Sequence, residues 1–333
     1  MAQTFKPMDN VTVLQNKKGE IPEDASLLIQ QAVIANSKVM QLGKVEPMEG
    51  LKKSFEVFVK GGGAYWINET QKIPTAKSEF KTITMEAKKL AVILPVSNEY
   101  LNMKMPAFFE FMKDKIAEAF YKKFDEAVIV GHNNPFKQSI ARSIETTGKN
   151  KTVEISYDSI LGLEDALYEN DIEPNAFISK VQNRTELRSA VKTVGGVSQS
   201  LYERATNTID GVTTVDFKSE NFPKGALIAG DFDNLVYGIP QGMTFSVSDS
   251  AQLSTLTNED GSPVNLFEQD MQALRVTMHV ACMIIKDEAF ASLNLPKYEK
   301  LAGIMPGHEK VLSTDKDAVK NSKTPTPPSG LGV

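Results

Sequence analysis

Residues 61–75 read GGGAYWINETQKIPT. Three glycines run into Ala64, Tyr65 and Trp66, the only tryptophan of the chain, and the segment then turns polar up to Pro74. Two readings compete. One is a glycine loop cradling phosphate; the other is the tip of an arm whose aromatic residues find their burial on another molecule. The run fails as a phosphate loop, because the pattern GxxxxGK[ST] is absent and no lysine or helix follows; it is not GxGxxG either. The flanks favour the arm. In LKKSFEVFVK, residues 51–60, Phe55, Val57 and Val59 share one face, the mark of a strand. In SEFKTITMEAKKLAVILPVS, residues 78–97, Phe80, Thr82 and Thr84 alternate with Lys81, Ile83 and Met85, and Leu90 to Val96 is nearly continuous apolar. Two strands around a long polar tip make an extended hairpin, which is marginal in water by itself. Such an arm has to lie on something, and a second subunit is the obvious support.

The composition is that of an ordinary globular protein: 333 residues, 41% apolar and 24% charged. A formal charge of −5 argues against a protein built to coat nucleic acid, although a shell that merely encloses DNA needs no basic domain. The one cysteine, Cys282, excludes an intrachain disulfide and sits in the apolar run MHVACMII, where a buried, inert thiol is expected. The N-terminus, MAQTFKPMDNVTVLQ, lacks the basic start and apolar core of a signal peptide. No stretch approaches the roughly 18–20 apolar residues that cross a bilayer, so no membrane association is expected.

Along the chain, residues 1 to about 24 read as an extended arm. A helix is expected over SLLIQQAVIANSKVMQLG, with Leu28, Ala32, Ala35, Val39 and Leu42 in one stripe and Ile29 and Val33 widening it. A strong helix is expected from Pro106 to Gly131, with Pro106 in its first turn. Phe108, Met112, Ile116, Phe120 and Phe124 recur every four residues, with Phe109, Ala119 and Ala127 beside them. At 1.5 Å per residue it would be about 40 Å long, which suits a spine. From about 145 to 254 short helix and strand signals alternate as a compact α/β unit: a helix in YDSILGLEDALYEN, a strand in NAFISK, a helix in QNRTELRSAVKTV closed by Gly195, then strands in VTTVDF, ALIAGDF, NLVYGIP and MTFSVSD. After a turn at NEDGSP, the run LFEQDMQALRVTMHVACMIIKDEAFASL has the length of one long strand. The Pro/Ser/Thr-rich tail is expected to be mobile, which also accounts for its PxxP at 325–328.

Nothing in these segments calls for catalysis. The three histidines, His132, His279 and His308, are dispersed, and His308-Glu309 lacks the second histidine of HExxH because Leu312 stands there. Asp231 and Asp233 in GDFDN lack the glycine and closing glutamate of a calcium loop and read as a turn between strands. No G-x-S-x-G elbow occurs. Glu118 and Glu126 share a helix with charged neighbours, which reads as a solvated face. No catalytic residue, metal or cofactor is expected, and a soluble α/β enzyme is the least favoured class.

Several stretches in order carry a family resemblance: GAYWINETQKIP and KKLAVILPVSNEYL at the two ends of the hairpin, the long Phe-rich helix, AFISK, GALIAGDFDNLVYGIPQGMTFSVSD, and NLFEQDMQALRVTMHVACMIIKDEAFASL. From about residue 5 to 295 the chain resembles the major capsid proteins of tailed bacteriophages, most of all the head proteins of long-tailed phages of Gram-positive hosts. The resemblance implies an α+β fold divided into an N-terminal arm (1–45), an extended E-loop hairpin (46–100), a peripheral domain with its spine helix (101–144), an α/β axial domain (145–254), long peripheral strands (255–298) and a C-terminal tail (299–333). It implies a homo-oligomer of pentamers and hexamers closing into an icosahedral shell around double-stranded DNA, assembled in a host cytoplasm as part of the virion. A scaffolding protein, a portal protein and a maturation protease are the implied partners. An encapsulin-type compartment is the alternative on the same fold.

In that frame Tyr65 and Trp66 become contacts on a neighbouring subunit, a role in which large aromatics are favoured. Lys52, Lys53, Lys60, Lys72, Lys77 and Lys81 make the hairpin basic, which reads either as pairing with acidic partners on a spine helix, Glu110, Asp114 and Glu118, or as plain solubility of an exposed arm. Some family members guide assembly with a long helical N-terminal region; here the capsid-like sequence begins almost at once, so a separate scaffold or a very short leader is expected. Some also lock their shells by isopeptide bonds between an E-loop lysine and a neighbour's asparagine, promoted by a glutamate. Lys72 matches the lysine, but Asp270 and Thr277 occupy the other two positions. Mature particles should therefore run as a single monomer band on a denaturing gel; a ladder of crosslinked species would contradict this.

Overall fold

The computed structural model describes residues 23–60, 79–258 and 262–297. The glycine run with Tyr65, Trp66, Lys72 and Lys77 lies outside them, as do the first 22 residues, His308 and the tail.

The spine is a helix from Asn98 to Ile129, 32 residues and about 48 Å long. Its expected stripe is largely in place: Ile116, Phe120, Phe124 and Ala127 are buried and Met112 packs beside them. Ala119 is exposed, and Ala117 takes the buried position instead. The helix starts eight residues earlier than expected, so Pro106 is not in the first turn but inside the helix. A proline there leaves the carbonyl four residues back without its N–H partner. At the other end Gly131, at φ +80°, takes the left-handed conformation that stops a helix.

Against the spine lies a four-stranded sheet in the order Lys44–Val45, Leu235–Ser248, Met271–Ile284, Lys88–Ser97. One face of the central strand, Leu274, Val276, Met278, Val280, Cys282 and Ile284, joins Ile116, Phe120 and Phe124 in the main core. NLVYGIP and MTFSVSD, expected as two strands, are one strand of 14 residues whose register slips between Gly238 and Thr244. Pro240 sits in that irregular stretch, where a missing N–H costs no ladder bond. The second hairpin strand is also two strands. Glu79–Glu86 pairs with Lys52–Lys60 to form the ribbon, whereas Lys88–Ser97, beyond Ala87, joins the sheet beside Met271–Ile284.

The long C-terminal strand divides too. After Ile284 a short turn, Asp287–Ala289, leads into Phe290–Leu293, which belongs to a second sheet of seven strands. There it pairs antiparallel with Leu227–Gly230, and the chain leaving Gly230 returns to the first sheet as Leu235–Ser248. Two neighbouring strands thus cross together from one sheet to the other. At the crossing Phe232 and Phe290 pack edge to face with centroids 5.3 Å apart. Gly230 lies so close that an added Cβ would stand 2.4 Å from the Phe290 ring and 2.7 Å from the Ala289 carbonyl oxygen.

The second sheet is covered by the helix Tyr157–Tyr168, which buries Ile160, Leu163 and Leu167 on Phe177, Leu227, Ala229 and Leu293. The helix expected to end at Gly195 stops at Ser189; Val191–Val194 and Val197–Ser200 form a hairpin instead, turned by Gly195 and Gly196. Its β-branched residues and paired glycines override the helical pattern before them.

The arm helix breaks at Ser37 into Glu23–Asn36 and Lys38–Leu42. Its core face is Ile29, Val33, Val39 and Met40, while Leu27 and Leu28 are exposed. The break has a partner on the spine. Asp125, 2% exposed, accepts from the Ser37 hydroxyl at 2.5 Å, from Lys38 N at 2.7 Å and from Val39 N at 3.2 Å. A carboxylate at a helix start is favoured by the free N–H groups. Burial still dominates and pushes Asp125 up to about 6 against these hydrogen bonds. Glu164, 3% exposed on the helix Tyr157–Tyr168, has one oxygen without a partner, and burial with Asp210 and Asp165 nearby pushes it up to about 7.

Both folded-state values lie above those of an unfolded chain, so both carboxyls favour folding while protonated. Their contribution is full at low pH and is lost as pH rises through about 6 for Asp125 and about 7 for Glu164. Denaturation midpoints should therefore fall as pH rises from about 4 to about 7 and level off above that, and Glu164→Gln should flatten that slope. An unchanged slope in the variant would remove Glu164 as its source.

Candidate subunit-contact surfaces

The hairpin base is the described part of the expected contact arm. Lys52–Lys60 and Glu79–Glu86 run antiparallel, with Lys52 opposite Glu86 and Phe55 opposite Ile83. Met85 and Ala87 at its root pack with Met48, Val236, Ala281 and Met283, so the ribbon is anchored on the sheet face away from the spine. Two of its lysines already have partners in their own chain. Lys52 Nζ lies 3.5 Å from Glu86, and Lys53 Nζ lies 2.6 Å from Glu46 and 5.4 Å from the centre of the Phe55 ring. Hydrogen bonding to Lys88, then the charge of Lys52, holds the Glu86 carboxyl below its usual range. Lys81 lies in the strand Glu79–Glu86, and Glu110 on the spine helix; their side chains are outside the described residues.

On the spine Asp114 is exposed. Glu118 is bracketed by Lys115 at 3.3 Å and Lys122 at 2.5 Å, and hydrogen bonding to Lys122 foremost lowers its pKa. A neighbour's lysine would have to displace these helix partners, which are exposed and cheap to exchange. Glu126 is not the solvated residue its surroundings in the sequence suggest. Its Oε1 accepts from the Asn221 amide at 2.6 Å and the Ser219 hydroxyl at 2.8 Å, tying the spine to the loop before Leu227–Gly230. Nothing in the sequence near residue 126 points to a partner some 95 positions away.

The two positions read against a crosslink are both occupied within the chain. Asp270 Oδ1 accepts from the Asn98 amide at 2.6 Å, and the Asn98 backbone N–H donates to the Asp270 carbonyl at 3.1 Å. This pins the start of the spine to the turn before Met271. Thr277 is buried and shares a hydrogen bond with Thr244 across the strand pair.

Among the described residues the titratable groups elsewhere do not converge. Cys282 is buried, and burial pushes its thiol up to about 12, which leaves it a packing residue. His279 faces Gln241 and Lys89 in the sheet. Asp231 and Asp233 form a turn, as expected: Asp231 Oδ1 accepts from Asp233 N at 3.0 Å, and Lys44 lies 2.9 Å from Asp233. Among the described residues no three His, Cys, Asp or Glu side chains are grouped to hold a metal ion. Among the described residues no helix is long and apolar enough to cross a membrane.

Comparison with known proteins gives these features a context. A model of the phage capsid family matches residues 20–295. The chain is 51% identical to the major capsid protein of Staphylococcus phage 80alpha over 292 residues, covering 87% of this chain and 89% of that protein. It is 26% identical to a probable major capsid protein, gp17, of Mycobacterium phage D29 over 82% of this chain and 88% of that one. Among solved structures, that titled Microbacterium phage Oxtober96 superposes with a TM-score of 0.62 at 20% identity, covering 77% of this chain and 90% of that chain. Mycobacterium phage Cain gives 0.62 at 18% identity over 90% of this chain and 96% of that chain. These similarities extend over most of both partners, and the two sheets, the spine and the ribbon all fall within them: the chain belongs to the phage capsid family.

Proposed function

We infer that this chain is the major capsid protein of a tailed phage and builds its head by self-assembly. The observation that carries this reading is the 51% identity to a major capsid protein across 87% of the chain. The role is structural; the family and its named relatives supply no reaction for the chain to catalyse. Pentamers and hexamers of the chain close into an icosahedral shell around double-stranded DNA, with a scaffolding protein guiding assembly, a portal protein at one vertex and a maturation protease acting on the particle. Assembly takes place in the host cytoplasm. Residues 1–45 and the ribbon of 46–87 serve as the bridging arm and E-loop; the spine helix with its four-stranded sheet, which takes in Lys88–Ser97 and Leu235–Ser248, serves as the peripheral domain; and the seven-stranded sheet, which takes in Phe290–Leu293, serves as the axial domain.

The anchored ribbon supports this division of labour. Its base is fixed in its own subunit, and two strands alone are too few to hold an extended tip in water. Tyr65 and Trp66 at the tip then bury on the next subunit. Lys72, Lys77 and Lys81 meet acidic groups there, with Glu110, Asp114 and Glu118 of the spine as their partners. Each contact can be weak, because every subunit makes several and a closed lattice multiplies them.

Light scattering of the purified chain, with and without a co-expressed scaffolding protein, should find megadalton particles, with five- and six-fold rings in negative stain. A stable monomer under both conditions would count against the shell. Reversing charge at Lys72 and Lys77 should lower particle yield, with partial recovery in high salt; unchanged assembly would remove the lysine contacts from the account.

A further inference from the structure

The helix Tyr157–Tyr168 carries a carboxyl group for which the fold supplies no partner. Glu164 stands in the apolar stripe of that helix, beside Leu163 and one turn from Ile160 and Leu167, and is 3% exposed. Its Oε1 is buried and has no hydrogen-bond partner among the described residues. The charges that act on it come from Asp210 and Asp165, both of its own sign. Tyr168, one turn further on, feels Glu164, Glu173, Asp210 and Asp165 and no cation. The sequence runs the same way: between Lys151 and Lys180 there are seven acids and no Lys or Arg. The lysines that reach this stretch go elsewhere in it, Lys192 to Asp158, Lys151 to the Gly162 carbonyl and Lys149 towards Glu169.

Asp210 is held in place against that helix. With Gly211, at φ +47° and +79°, it forms the turn between the strands Thr208–Ile209 and Val212–Asp216, and its N–H donates to the Leu201 carbonyl at 2.9 Å. Ile209, just before it, packs in the same core as Ile160, Leu163 and Leu167, which sets the turn beside the helix. Asp210 and Asp165 are exposed, so the place is open to ions from solvent. A buried carboxyl without a hydrogen-bond donor is kept either by a proton or by a cation. The proton serves at low pH. Above about pH 7 it is lost, and a bare carboxylate is left beside two others.

We propose that Glu164 and Asp210 hold a divalent cation between the helix and the turn, with Asp165 adding negative charge outside the coordination shell. No third carboxylate, histidine or cysteine is grouped with them among the described residues. That argues against zinc, which fills its structural sites with protein nitrogen and sulfur, and against calcium, which gathers a larger set of oxygens. Mg²⁺ fits the two carboxylates, because it keeps several of its waters and binds through one or two such groups. The ion ties the helix Tyr157–Tyr168 to the outer strands of the seven-stranded sheet. All of its ligands come from one subunit, so the site does not depend on assembly.

Thermal denaturation of the full chain at pH 8, in MgCl2 and in NaCl of equal ionic strength, tests this. Mg²⁺ should raise the midpoint by about 2 °C or more over NaCl. Glu164→Gln and Asp210→Asn should each lose most of that gain. Asp210 is exposed and asparagine tolerates its positive φ, so the second variant keeps the fold. At pH 5 the gain should vanish in the parent, because a proton then occupies the Glu164 carboxyl. No gain over NaCl would overturn the site, since screening of the acidic surface then explains the whole effect. A gain that survives in either variant, or that is as large at pH 5 as at pH 8, overturns it as well by placing the ion elsewhere on that surface.

Discussion

Two strands that cross together between two sheets set the geometry of everything else. Leu227–Gly230 and Phe290–Leu293 are paired in the seven-stranded sheet; Leu235–Ser248 and Met271–Ile284 are paired in the four-stranded one. Between them the two connections stay bonded, Asp231 N to the Ala289 carbonyl at 3.0 Å and Ile285 N to the Asn234 carbonyl at 2.9 Å. The Phe232–Phe290 contact fills the crossing, and Gly230 allows it, since a side chain there would meet the ring and the backbone behind it. The main core runs on through this point, from the spine and Val276 to Ile178, Ile228 and Phe217. The expected peripheral and axial parts are therefore built on one shared framework.

Around that framework the remaining elements are fastened by polar side chains, one of them, Asp125, fully buried. Asp125 holds the broken arm helix, Glu126 holds the loop at Ser219 and Asn221, and Asn98 with Asp270 fixes the start of the spine. Each tie reaches from the spine to a segment remote in sequence. A buried carboxylate is a costly fastener, because desolvation opposes its charge, but it is a directional one. Asp125 accepts from three donors at once, so the second arm helix can start in only one place.

The sequence makes some of this plain and hides the rest for identifiable reasons. The spine is legible because Ile116, Phe120 and Phe124 repeat with the helix; its true start is not, because a proline that begins a helix and one that sits inside it look alike. The strand Leu235–Ser248 reads as two because Pro240 imitates a stop, and only its distant partner Met271–Ile284 carries the chain past it. The division of 78–97 at Ala87 and of the last long strand after Ile284 likewise depends on which strand lies alongside. Of the residues expected at subunit contacts, Asp114 and Glu118 lie where the helical period puts them, outside the apolar stripe. Tyr65, Trp66, Lys72 and Lys77 are argued from sequence, and the structure contributes the anchored ribbon that leads to them.

The crossing pair also decides how the subunit responds to load. A shell under internal pressure is stretched in its own plane, and the stretch reaches each subunit through its edges. Where the two strands cross, force pulling the sheets apart runs along the chains and not across them. Antiparallel strands loaded lengthwise share the strain over all their hydrogen bonds at once, whereas strands peeled sideways give way one bond at a time. Pulling the sheets apart loads both crossing chains together and shears the ladders that hold them to their outer neighbours, ten registered residue pairs between Met271–Ile284 and Lys88–Ser97 and four between Leu227–Gly230 and Ala176–Ser179. The surface loops and ribbons can then yield first, and the subunit keeps its shape while its contacts adjust.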